Sequence, residues 1–234
     1  MNAIRRICGL LFGAALMAGC TERNTQGPLA TTGAGLSADA TGATTSAVVD
    51  AVGDAVDAPA WLDLASASIT RKRSRFYFTV DVAGSIPADP SLDPATPTQV
   101  DHVCPALDGL DTDRASAPAG YPFGKNEANW AEFYLGLCWN PSGSFGLGTG
   151  FVGLFIDRRP LLSGGQARVL PIEVSIQRTR VSFVVDAAAL GDPESFAWVA
   201  FSEVAKHADP NDVASFPDAA PDVNLGAPFA IWPQ

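Results

Sequence analysis

Phe76-Tyr-Phe-Thr-Val-Asp-Val82 is the stretch that decides the fold: Phe76, Phe78, Val80 and Val82 fall on one side of an extended chain, and Tyr77, Thr79 and Asp81 on the other. Successive side chains of a strand point to opposite faces, so this alternation predicts a strand with one face buried and one face wet. The same period of two recurs in Arg180–Asp186, which turns Val181, Phe183 and Val185 inward, and upstream in Ile172, Val174 and Ile176. Working outward, strand-like runs cover 62–70, 99–107, 129–139, 149–157, 168–177 and 196–204, rich in Val, Ile, Phe, Tyr and Trp. Clusters of Gly, Pro, Asp and Ser bound them. About nine short strands separated by turn signals predict an all-β fold, an antiparallel β-sandwich. Helix signals are sparse; Asp186-Ala-Ala-Ala-Leu-Gly-Asp-Pro193 predicts one short helical turn that stops at Gly191.

Ahead of that domain stand two segments of different character. Arg5 and Arg6 precede an apolar run from Ile7 to Ala18, followed by Gly19-Cys20. A permanent membrane helix needs roughly 20 apolar residues, so a run this short reads as the core of an export signal. Leu16-Met-Ala-Gly-Cys20 resembles the lipobox of bacterial lipoproteins, with Met17 where that family prefers Leu. The resemblance implies cleavage after residue 19, lipid on Cys20 and membrane attachment through that lipid. Thr21 stands where such lipoproteins carry Asp when retained in the inner membrane, which implies the outer membrane, on its periplasmic or cell-surface side. Residues 20–57 then carry Thr, Ala, Gly, Ser and Asp with few large apolar side chains. Such a composition buries too little surface to offset its ordering entropy and predicts a flexible tether. Residues 58–234 remain for a single sandwich domain.

The chain of 234 residues carries 15 basic and 25 acidic side chains, a net charge of −10. That balance argues against nucleic acid as a partner and is compatible with calcium, cationic ligands or neutral glycans. Of four cysteines, Cys8 lies in the signal and Cys20 in the lipobox. Cys104 and Cys138 are left in an oxidising compartment, which predicts a disulfide between them. A metal site on this pair would need further Cys or His ligands at close spacing, and there are none.

Leu107-Asp-Gly-Leu-Asp-Thr-Asp113, Gly120-Tyr-Pro-Phe-Gly124 and Asn126-Glu-Ala128, together with Val185-Asp-Ala-Ala-Ala-Leu-Gly-Asp-Pro-Glu-Ser-Phe-Ala-Trp198, resemble segments of the DOMON-like and family-9 carbohydrate-binding-module-like sandwiches. The resemblance implies a sandwich in which a strand runs into an Asp-Thr-Asp turn and a Gly-rich loop follows. Haem-binding DOMON domains use Met and His as axial ligands. Here both methionines, Met1 and Met17, lie in the signal, so haem is not expected.

Asp108, Asp111 and Asp113, with Asn126 and Glu127 across the following loop, form the candidate metal set. Calcium takes six to eight oxygen ligands on flexible loops. The competing use is the common one, in which such residues accept hydrogen bonds from turn amides. Tyr121 and Phe123, in a Gly/Pro-flanked loop, are candidate platforms for a sugar ring. Trp198, amid Phe196, Val199 and Phe201, reads as core. Arg158-Arg159 and Arg71-Lys-Arg73 read as solvated turn charges. No Gly-x-Ser-x-Gly elbow or histidine motif points to catalysis, and His102 and His207 stand outside any such pattern.

Two functions follow as expectations. In one, a non-catalytic, lipid-anchored sandwich binds a carbohydrate or related envelope ligand, with calcium in a structural role. In the other, a structural or protein-interaction lipoprotein takes no small ligand and uses a sheet face rather than a loop.

Overall fold

The computed structural model describes residues 35–38, 43–55, 57–96, 100–112, 131–206, 215–222 and 229–233. They form two antiparallel sheets packed face to face, an all-β sandwich. The six-stranded sheet contains β1 (Gly35–Ala38), β2 (Thr44–Val49), β3 (Leu64–Lys72), β4 (Arg75–Val82), β9 (Val174–Gln177) and β10 (Arg180–Asp186), in the order β1-β2-β3-β4-β10-β9. The seven-stranded sheet contains β5 (Val100–Asp111), β6 (Phe133–Asn140), β7 (Gly150–Asp157), β8 (Arg168–Pro171), β11 (Phe196–Lys206), β12 (Ala219–Ala220) and β13 (Ala230–Trp232). Its order is β12-β11-β5-β6-β7-β8, with β13 also on β11.

The alternation in β4 and β10 does what the sequence predicts. Phe76, Phe78, Val80, Val181, Phe183 and Val185 are buried between the sheets. Phe78 and Phe183 are cross-strand partners whose rings stack 4.9 Å apart. Phe76 meets Trp232 edge-on at 4.8 Å, tying the opposite sheet to the same core. Trp198 is fully buried, and its indole N–H donates to Ser46 Oγ at 3.2 Å. The predicted turn after β10 is a 3-10 turn, Ala187–Leu190, stopped by Gly191 in the left-handed region at φ 84°.

Three expectations are corrected. The run 168–177 is not one strand. β8 pairs with β7 in one sheet and β9 with β10 in the other, and the chain crosses between them at Ile172-Glu173. The crossing passes so close to Gly153 that a Cβ there would sit 2.2 Å from the Ile172 carbonyl oxygen, which only glycine avoids. Ile172 and Val174 pack against the core as expected, and Ile176 shares the face of its partner Val181 but, on an edge strand, stays 40 % exposed. Second, the segment predicted as tether contains β2, a strand of six residues with Ser46 and Val48 buried. Its Thr, Ser and Ala side chains suit a half-wet strand as well as a linker, so composition alone misplaced the boundary. Third, the basic turns are not simply solvated. Arg159 holds Asp157 through two hydrogen bonds, at 2.9 and 2.8 Å, while lying over the Phe133 ring. Arg158 donates to Tyr134 Oη at 2.8 Å, and Arg71 covers the rings of Phe76 and Trp232.

Cys104 of β5 and Cys138 of β6 form a disulfide, as expected, with Cα atoms 4.0 Å apart. It lies in a second apolar cluster on the outside of the seven-stranded sheet, with Leu107, Leu154, Val199 and Phe201. β5 is therefore buried on both faces along most of its length. Among the described residues no helix is long and apolar enough to cross a membrane.

Candidate functional site

The outer face of the six-stranded sheet is polar and open. Residues alternating with the core positions line up across it in rows fixed by the strand register. Ser68, Thr79, Ser182 and Ser175 are successive partners across β3, β4, β10 and β9. Neighbouring strands lie about 4.8 Å apart, so this row presents hydroxyls at a regular spacing. In the adjacent row Thr70, Tyr77 and Val184 are partners, with Tyr77 36 % exposed and Val184 exposed. Lys72 Nζ lies 5.7 Å from the centre of the Tyr77 ring. The ion pair Arg75–Asp186, at 3.0 Å, closes one side. On the other, Arg180 holds Asp81 through hydrogen bonds of 2.7 and 2.9 Å, and that pairing keeps the Asp81 carboxyl below its ordinary range. Small floor residues between taller ones leave a concavity of about 670 Å³, lined by Arg75, Tyr77, Thr79, Glu173, Ser175, Ser182, Val184 and Asp186. Such a surface can offer one ring face and several donors and acceptors to a polar ligand.

Of the predicted calcium set, only Asp108 and Asp111 fall among the described residues. Asp108 and Asp111 both belong to β5, and the ladder to β11 runs without a shift between them. Being three apart on a regular strand, they point to opposite faces. Asp108 shares the inner face with Ala106 and Leu110, and burial holds its carboxyl well above the ordinary range. A calcium shell holding both side chains is therefore ruled out by the strand itself. Asp113, Asn126 and Glu127 lie outside the described residues, as do Tyr121, Phe123 and the predicted lipidation site Cys20. The chain entering that loop is anchored by buried Glu132, which accepts from Thr112 N at 2.6 Å and Thr112 Oγ1 at 3.1 Å.

Two other groups of potential ligands are present. His102 Nε2 lies 3.0 Å from Glu203 Oε1 in a cavity of about 190 Å³ on the outside of the seven-stranded sheet, next to the disulfide. Cys104 is close enough to complete a three-residue metal set, but its sulfur is bonded to Cys138. The second group is wholly acidic. Asp50, Asp54 and Asp222 bring carboxylate oxygens within 4.8 Å of one another, and so do Asp54, Asp63 and Asp218. These residues come from the end of β2, the turn after it, the start of β3 and the two ends of β12. Burial first, then the carboxylates of Asp218, Asp222 and Asp54, push the Asp50 carboxyl up to about 8, and the Ala51 amide offsets only part of this. Burial likewise carries Asp218 to about 7, with Asp54 and Asp63 adding to it. Asp63 and Asp222 are raised as well, again mainly by burial. Sequence reading passed over these residues because they lie in three distant segments, one of them taken for tether. The local signal available was Val48-Val-Asp-Ala-Val-Gly-Asp54, too apolar for a solvated linker.

No protein-family model matches the chain, and no curated protein or solved structure matches it.

Proposed function

We propose that the protein is a membrane-anchored, non-catalytic binding module that takes a carbohydrate of the cell envelope on the outer face of its six-stranded sheet. The anchor in this reading is lipid on Cys20, at the outer membrane. The observation that carries the ligand assignment is the hydroxyl row Thr79–Ser182–Ser175, continued by Ser68 on β3, beside the exposed Tyr77, with all but Ser68 lining a wide concavity. Polyhydroxylated ligands exchange hydrogen bonds with such a row and stack a ring on such an aromatic. The sandwich architecture and the likeness to carbohydrate-binding modules agree with this reading, although fold alone does not fix function.

A glycan array probed with the full chain tests it. Selective binding that disappears in Tyr77→Ala is the expected result, and a blank array rejects it. A second reading, a protein partner with no small ligand, draws support from the same geometry, since the concavity lies on a sheet face. It predicts that Tyr77→Ala weakens capture of an envelope protein while every sugar is ignored. The anchor is tested separately: Cys20→Ala should abolish incorporation of radiolabelled fatty acid and move the protein to the soluble fraction.

A further inference from the structure

From the side chains converging where the N-terminal strand meets the end of the chain, we propose a calcium-class cation site formed by Asp50, Asp54, Asp63, Asp218 and Asp222. The site shares no residue with the ligand face and stands or falls independently of it.

Convergence of acidic residues alone would not carry this. What distinguishes the cluster is the state of its buried members. Asp50 is 6 % exposed, and neither of its carboxylate oxygens makes a well-formed hydrogen bond among the described residues, the adjacent Ala51 amide being the one donor near enough to act on them. Asp63 is 5 % exposed; its Oδ2 accepts from Gly53 N at 2.8 Å, while Oδ1 is buried without a partner. Buried carboxylate oxygens are almost always satisfied, and leaving them bare costs far more than leaving a neutral group bare. Asp218, by contrast, is oriented at both oxygens, by Leu64 N at 2.6 Å and Ala219 N at 2.8 Å. The bare oxygens of Asp50 are aimed at Asp54 and Asp222, and Asp54 is common to both triads.

Among the charges that act on Asp50, Asp63, Asp218 and Asp222, all are other carboxylates. Among the described residues no guanidinium or ammonium enters to balance them. Two compensations are open to such a group: take up protons or bind a cation. An all-oxygen set without His or Cys suits a hard cation and not zinc or copper. Ligands drawn from loops and strand ends, with Asp54 exposed to admit water, suit the adaptable shell of calcium better than the strict octahedron of magnesium. The site would fasten β2 and its following turn to β3 and β12, joining the segment nearest the tether to the C-terminal part of the fold. Hydrogen bonds already link these pieces, Asp50 N to Ala65 O at 3.0 Å and Leu64 N to Asp218 Oδ2 at 2.6 Å. The cation would complete that junction.

The test uses the full chain stripped with EDTA and then titrated with calcium chloride, followed by calorimetry and thermal unfolding. Calcium at about a hundred times its Kd should raise Tm by several degrees, because it binds only the folded state. Asp54→Asn, at an exposed position, should fold normally and weaken calcium binding at least tenfold. Asp50→Asn removes like-charge repulsion, so in EDTA it should unfold no lower than the parent, while losing most of the calcium-induced rise. If millimolar calcium leaves the parent's Tm unchanged, or if the rise survives intact in Asp54→Asn, the proposal is wrong. The second outcome would move the ion to another part of the chain.

Discussion

The outer face of the six-stranded sheet is made of Ser68, Thr79, Ser182, Tyr77 and ion pairs, whereas the outer face of the seven-stranded sheet carries Leu107, Leu154, Val199 and Phe201 under a second apolar layer. Both sheets use the same two-residue period and contribute equally plain inner faces to the shared core. What differs is the complement. In β4 and β10 the outward residues are polar apart from Val184, so the strands must stop at water. In β5 the outward-facing Cys104 and Leu107 are apolar too, and Phe145, Tyr134, Phe216 and Phe229 pack against the cluster they belong to. A strand with apolar side chains on both faces is buried on both sides, and one that alternates is buried on one. Stability and recognition are thereby assigned to different faces: substitutions outside the seven-stranded sheet should act on folding, and those outside the six-stranded sheet on binding.

The sharpest way to break that division is Phe201→Ala. Phe201 is on an outer face yet only 1 % exposed, with its ring against Tyr134 at 5.8 Å and Phe216 at 5.6 Å. Truncating a buried Phe costs about 3–5 kcal/mol, and that is the loss expected in chemical denaturation. A loss under about 1 kcal/mol would mean that the covering layer is not a true core.

Next in size is the disulfide of the same layer. Cys104 and Cys138 are 34 residues apart, and opening that loop should cost about 3–4 kcal/mol in the chain-entropy model. Replacing both by alanine and comparing denaturation midpoints measures it. A midpoint unchanged by the double replacement would show that the surrounding strands hold the unfolded chain's contacts as well without it.

A third, pH-gated effect separates the inner face of β5 from both outer faces. Asp108 is held well above the ordinary carboxylate range by burial, so the folded protein keeps its proton where the unfolded chain has released it. The associated stability is fully present below the ordinary carboxylate pKa and is lost as pH rises through the raised folded value. Asp108→Asn should flatten the decline of stability between about pH 4 and neutrality. The net gain at neutral pH should be modest, since the amide meets the same shortage of partners. A decline equally steep in the variant would assign the pH dependence to other groups.

These contrasts also mark how far the sequence could be read. The alternation in Phe76–Val82 and Arg180–Asp186, the turn at Gly191 and the Cys104–Cys138 bond are local or near-exclusive signals, and the structure contains all of them. The sheet change at Ile172 is not local: it depends on Gly153, a glycine of another strand. β2 was hidden because a half-wet strand of Thr, Ser, Ala and Val has the composition of a linker. The acidic residues that meet in space come from two stretches far apart in the chain, Asp50, Asp54 and Asp63 in one and Asp218 and Asp222 in the other, while Asp108 and Asp111, close in sequence, face opposite ways. Spacing along a strand fixes which side a residue faces, but only topology fixes which distant residue it meets.

The smallest expected change in stability falls on the open face and is the most informative about recognition. Tyr77 packs one side of its ring near Lys72 and leaves the rest to solvent, so Tyr77→Ala should shift the unfolding free energy by less than about 1 kcal/mol. The opposing Arg75–Asp186 pair is exposed at both ends and should matter as little to folding. Ser182→Val suits a strand and deletes an inner hydroxyl of the row, putting two methyl groups in its place. Stability and ligand capture measured on Tyr77→Ala and Ser182→Val, beside Phe201→Ala, then decide the division. If Tyr77→Ala and Ser182→Val lose binding with unchanged midpoints, the open face is a recognition surface that folding does not need. If they unfold earlier by as much as Phe201→Ala, the polar face is structural, and the contrast between the two sheets is one of composition alone.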